Sequence, residues 1–137
     1  RWTEVFATNG TINTSDVALK KDIVNTTLGL DFVNSLRPVE YKWKDGGVRS
    51  HQGFIAQEVK TALDGTSSSA SQQAMWGTHS VKGPATETSM EYVEGKEELQ
   101  EVTREVSDHQ SLRYTELIAP LVKAVQELTT RVTALEG

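Results

Sequence analysis

Leu36-Arg37-Pro38-Val39-Glu40-Tyr41-Lys42-Trp43-Lys44-Asp45-Gly46-Gly47 holds a helix exit, a strand and a turn in twelve consecutive residues. Proline disfavours helical backbone at the residue before it, so Arg37 leaves the helical region. The helical spacing of Leu28, Phe32, Val33 and Leu36 therefore predicts a short helix ending near Ser35 or Leu36. Val39, Tyr41 and Trp43 alternate with Glu40, Lys42 and Lys44, the pattern of a strand with one apolar face. Asp45-Gly46-Gly47 turns the chain back. The returning segment reaches Gly53-Phe54-Ile55, and Ile55, Val59 and Leu63 at i, i+4 and i+8 predict a second short helix from about Ala56. Upstream, Arg1 to Thr8 is β-prone and closes on the turn signal Asn9-Gly10. This front half reads as compact α+β.

Residues 64–110 begin with a Gly, Ser, Thr and Ala tract and stay polar, with only scattered apolar residues such as Met75, Trp76, Met90 and Tyr92. Such a composition has little to bury, so the segment is expected to protrude as an insertion. Leu99, Val102 and Val106 sit near helical spacing while Met90 and Tyr92 alternate, which leaves helix and hairpin both open. The C-terminal segment is more regular. Ile118, Leu121, Val125, Leu128, Val132 and Leu135 follow spacings of 3, 4, 3, 4 and 3, a heptad seam with leucine at every second position. A coiled-coil helix over 115–136 is expected, with Thr115 as its cap and Pro120 near its start, where a missing N–H costs least. Seam chemistry alone favours two strands, but Leu117, Val122 and Ala124 widen the apolar face beyond a two-stranded contact.

At 137 residues and 36% hydrophobic content the chain suits one modest core helped by association. A net charge of −5 without a basic patch argues against nucleic acid, whose phosphates require clustered Lys and Arg. There is no cysteine, and His51, His79 and His109 are too dispersed for zinc spacing, so neither a metal nor another cofactor is expected. No run reaches the roughly 18 apolar residues of a membrane span, so no membrane partner is expected either.

Thr14-Ser15-Asp16-Val17-Ala18-Leu19-Lys20 places a serine and a lysine five residues apart. A lysine acts as general base only when neutral, so its ordinary pKa of about 10.4 must fall towards about 7, and desolvation is the usual means. Residues five apart share no face of a helix and point to opposite faces of a strand. Contact needs a turn near Asp16 or a lysine from another chain. Attack by the Ser15 hydroxyl on the Thr14 carbonyl passes through a five-membered ring, whereas attack on its own carbonyl needs a four-membered one. Ring strain thus favours a cut before Ser15.

Ser15-Asp16-Val17-Ala18-Leu19-Lys20-Lys21-Asp22-Ile23 resembles the opening of the C-terminal intramolecular chaperone domains of bacteriophage endosialidases, tailspikes, tail fibres and neck appendages. Leu36 to Trp43 is similar to their helix-exit and strand block, and Gly53-Phe54-Ile55-Ala56-Gln57-Glu58-Val59 to their Gly-aliphatic-Ile-Ala-Gln-Glu-Val signature. Tyr114 to Leu128 resembles their terminal helix. The resemblance covers roughly residues 13–63 and 111–128. It implies Ser15 as nucleophile, Lys20 as base and a cleavage junction at Thr14, Ser15 and Asp16. Family members are described as cut at Ser-Asp, so the side of Ser15 that is cut stays open. It further implies a homotrimer that aligns an upstream β-rich fibre or spike of the same polypeptide and then frees itself as a single-turnover serine endopeptidase. Residues 1–14 would then end the upstream segment and 15–137 form the chaperone, assembled on a virion precursor in the bacterial cytoplasm. The rival expectations are a trimerisation tip that never cuts and a receptor-binding fibre end.

Overall fold

In a computed structural model the protein is described over residues 6–10, 12–44, 46–79, 86–91, 94–105 and 108–137. The expected N-terminal strand falls largely on residues 1–5, outside the described residues, and Phe6 to Thr8 is not strand. Helix α1 spans Leu30–Ser35, and Leu36 is already extended at ψ 146°, one residue ahead of Arg37, the position that Pro38 bars from the helical region. The exit is fixed by the Ser35 hydroxyl, which donates to the Phe32 carbonyl at 2.6 Å. Strand β1, Val39–Tyr41, pairs antiparallel with β2, His51–Gly53, in the register Val39 to Gly53 and Tyr41 to His51. Helix α2, Ala56–Asp64, follows at once. The α+β class read from the sequence holds.

The core forms where α1 and α2 meet the ends of the polar segment. Leu28 and Phe32 pack with Val59 and Leu63, the last two 1% and 0% exposed, one helical turn apart on the inner face of α2. Leu63→Ala is expected to cost about 2–5 kcal/mol, through lost apolar transfer and the cavity left behind. Urea unfolding of the variant against wild type measures it.

The polar segment differs from its expected character at both ends. Ala70 and Met75 are 1% and 4% exposed and belong to the core. What plants them there is local polar chemistry rather than apolar periodicity. The Asp64 carboxylate accepts from Lys60 Nζ at 2.7 Å and from the Ala70 N–H at 2.9 Å, and these bonds hold its pKa below the usual carboxylate value. Strand β3, Trp76–His79, pairs antiparallel with β6, His109–Leu112, and the Trp76 indole N–H donates to Gln110 Oε1 at 3.0 Å. Beyond lies a second ribbon, β4 (Thr86–Glu91) against β5 (Gln100–Glu105), paired from Thr86–Glu105 to Glu91–Gln100. Among the described residues this ribbon packs on no other element, so hairpin rather than helix is the outcome there.

The C-terminal helix starts later than the expected 115. Tyr114–Leu117 forms a 3-10 turn, and α3 runs Ile118–Glu136 with Leu117, not Thr115, at its N-cap. The cause is tertiary: the Tyr114 hydroxyl accepts from the Phe54 N–H at 3.2 Å, which ties the turn to the β2–α2 junction. Gly53 permits the approach, since a Cβ there would stand 2.5 Å from that hydroxyl. Pro120 falls in the first turn of α3, where its missing N–H is no loss. Leu117, Pro120 and Ala124 are buried, and this face of α3 packs on α1.

A second clamp joins the two helices of the front half. Arg37, just past α1, donates through Nε and Nη2 to both Glu58 carboxylate oxygens, at 2.7 and 2.8 Å, in the first turn of α2. The Arg37 hydrogen bond holds the Glu58 carboxyl below its ordinary range, with desolvation opposing. A depressed carboxylate contributes stability above its unfolded value of about 4.3, and loses it as pH falls through the lower folded value. The Tm gap between wild type and Glu58→Gln is therefore expected at neutral pH and should shrink as pH falls below about 4.3. Both groups are exposed, so the gap is small.

Candidate functional site

Ser15 and Lys20 lie on an arm, residues 6–27, whose described residues are all exposed. The structure brings them together in one chain: Lys20 Nζ donates to Ser15 Oγ at 2.6 Å. The turn that this contact requires is a single 3-10 turn, Val17–Leu19. Asp16 caps it. Its Oδ1 accepts from the Ala18 N–H at 2.8 Å, its carbonyl accepts from the Leu19 N–H at 3.1 Å, and the Val17 carbonyl accepts from the Lys20 N–H at 3.1 Å. One short turn thus converts a separation of five residues, wrong for helix and strand alike, into side-chain contact.

Two residues after Lys20, Asp22 has φ 54°, the left-handed region, which aspartate tolerates better than most side chains. The chain is redirected there and reaches the core at Leu28. Thr14 stands immediately before the dyad and is exposed like the rest of the arm. The arm is not polar. Ile12, Val17, Leu19, Ile23 and Val24 are between 63% and 94% exposed, more apolar surface than a free-standing arm needs. The seam of α3 is open in the same way: Ile118, Leu121, Val125, Leu128, Val132 and Leu135 are all at least 43% exposed, while Pro120 and Ala124, along one edge of that seam, are buried.

His51 is exposed and stacks on Tyr41, with centroids 5.5 Å apart, and does not join Ser15 and Lys20. Trp43 lies just past β1, half-exposed, its ring 5.2 Å from that of Tyr41. Among the described residues no three His, Cys, Asp or Glu side chains gather in a metal-binding group. No helix among them is long and apolar enough to cross a membrane. Two roles escaped the sequence reading. Asp16 could have been found as the cap of a turn from its residue type and position. The Arg37–Glu58 clamp joins residues 21 apart and has no local signal.

Residues 15–66 match the family model described as chaperone of endosialidase, a span holding the dyad, its capping Asp16 and the Arg37–Glu58 clamp. No curated protein matches the chain. Among solved structures, it is similar to the carboxy-terminal domain of the bacteriophage T5 L-shaped tail fibre with its intramolecular chaperone domain, at 23% identity and a TM-score of 0.61, over 99% of this chain and 34% of that one. It spans about a third of that fibre chain's length. It is also similar to a structure described as a novel intramolecular chaperone, at 24% identity and a TM-score of 0.59, over 85% of this chain and 99% of that one. In fold the protein is therefore similar to intramolecular chaperone domains over most of its length, and in sequence it carries the endosialidase-chaperone signature over residues 15–66.

Proposed function

We propose that this chain is an intramolecular chaperone that trimerises, aligns the upstream β-rich fibre or spike of its own polypeptide in a virion precursor in the bacterial cytoplasm, and then separates from it by autoproteolysis at Ser15. The observation that carries this reading is the 2.6 Å contact between Lys20 Nζ and Ser15 Oγ, inside the segment that matches the family. Intertwined β-structure requires several chains in register before non-local pairing offsets its ordering cost, and a C-terminal assembly raises the effective concentration of those chains. Cutting afterwards removes the reverse path and leaves the fibre kinetically trapped.

Base action needs the contact with its polarity reversed, the hydroxyl donating to an uncharged amine. In the lone protomer Lys20 is exposed and donates. Burial by neighbouring protomers supplies the missing desolvation, and the exposed apolar arm and seam are the surfaces that would meet them. Lys20 then takes the Ser15 proton as Oγ attacks the Thr14 carbonyl. The C–N bond of the tetrahedral intermediate breaks, the Ser15 nitrogen takes up the proton, and water hydrolyses the resulting ester. This route cuts before Ser15 and leaves residues 15–137 as the released chaperone.

Asp16 acts on this chemistry as a positioning residue. Asp16→Asn keeps an acceptor for the Ala18 N–H and is expected to retain most of the cleavage rate, whereas Asp16→Ala loses the cap, worth about 0.5–2 kcal/mol, and slows cleavage by roughly 2- to 30-fold. Time courses on denaturing gels separate the two.

The reading as a whole is tested by sedimentation and intact-mass analysis of the chain spanning 1–137. A trimer that sheds residues 1–14 supports it. A trimer that stays full length indicates the non-cleaving tip, and a stable monomer removes the chaperone reading altogether.

A further inference from the structure

A different pair of side chains, unconnected with the dyad, meets at the far end of the β3–β6 ladder. The register sets His79 directly opposite His109, so both side chains leave the same face of the ribbon. Their rings lie 5.7 Å apart between centroids and nearly perpendicular, at 86°. Both residues are exposed, so neither ring is committed to the core. They are 30 residues apart in sequence, which is why dispersed histidines carried no metal signal before the strands were paired.

We propose that His79 and His109 form a two-imidazole chelate for a divalent late transition ion of the Zn²⁺, Ni²⁺ or Cu²⁺ class, bridging β3 and β6. An imidazole nitrogen binds such an ion at about 2.0–2.1 Å, which puts the ring centroid roughly 3.1–3.2 Å from the metal. Two rings on one ion at an N–metal–N angle between tetrahedral and about 130° then have centroids roughly 5–6 Å apart, and the ribbon already holds them at that separation. Imidazole is a ligand these ions favour, and opposed strands hold the pair without loop closure on binding. Water completes the coordination, since no third His, Cys or carboxylate joins the pair among the described residues.

The site has a structural consequence. The ladder of β3 and β6 is anchored on the core at Trp76 and Leu112, and the histidines lie at its opposite end, where the chain leaves towards β4 and returns from β5. An ion held there by the folded ribbon and not by the unfolded chain stabilises the ladder by mass action.

The test is calorimetric titration of the untagged full chain with Ni²⁺ and Zn²⁺, on wild type, His79→Asn, His109→Asn, the double variant and His51→Asn. The expected result is one ion per protomer in wild type and in His51→Asn, and a loss of affinity of at least ~10-fold in each single variant, since removing a ligand should cost no less than removing an outer-shell partner. Copper EPR on wild type adds a readout that needs no substitution: hyperfine structure from two imidazole nitrogens is expected. Ion binding that persists in the double variant, or that vanishes with His51→Asn, overturns the proposal. So does a titration with no heat and no copper signal from two nitrogens.

Discussion

Ser15→Ala is expected to leave the assembled chain full length indefinitely, and Lys20→Arg to do the same while keeping the Ser15 contact available. The second variant is the more discriminating. Arginine retains a donor at about the right reach but does not deprotonate in proteins, so it preserves a hydrogen bond and removes the base. Triad-type dissections show that losing a nucleophile or its base costs several powers of ten in rate, so on a laboratory timescale the outcome is all or none. Intact-mass spectra of the oligomeric fraction read it directly. Both side chains are exposed and make no core contact, so neither substitution threatens the fold. Cleavage in Lys20→Arg would assign the observed contact a structural role only.

Leu128→Glu is expected to dissolve the oligomer and to abolish cleavage together with it. Leu128 is half-exposed in the protomer, in the seam of α3 and one turn beyond the buried Ala124. A glutamate there therefore remains hydrated in the monomer and is desolvated only in the assembly. If each of three copies costs about 2 kcal/mol, association weakens by roughly four powers of ten. Sedimentation should report a folded monomer, circular dichroism an intact protomer, and mass spectrometry an uncut chain. The linked loss is the informative part, because Leu128 lies 108 positions from Lys20 and acts on it only through assembly.

The parts of the fold legible in the sequence are those decided by neighbours along the chain. The exit of α1 follows from Pro38, the strand from alternation, and α2 from the spacing of Val59 and Leu63; each lies where those patterns put it, except that the strand ends at Tyr41, short of Trp43. The start of α3 was not legible, because the 3-10 turn at Tyr114–Leu117 depends on a hydroxyl bonded to Phe54, sixty positions away. Nor was the burial of Ala70 and Met75, which have no periodic partners and are drawn in by Asp64 and the packing of α2. The dyad lies between these cases. Its residue types stand in the sequence, but their contact depends on whether five residues close on themselves, and that is decided by one carboxylate capping one turn. The His79–His109 pair is the opposite extreme, visible only once two strands 30 residues apart are in register.

The central claim is that assembly creates the reactive state: a lysine exposed in the protomer becomes a desolvated, uncharged base beside its serine. Refolding the full-length wild-type chain from denaturant across a range of protein concentrations, with oligomer and cleaved product followed in the same samples, tests this most directly. The account requires product to appear only in the oligomeric fraction, with uncut monomer persisting at the lowest concentrations. Cleavage of isolated monomer at the same rate as oligomer, or oligomer that never cleaves, would contradict it.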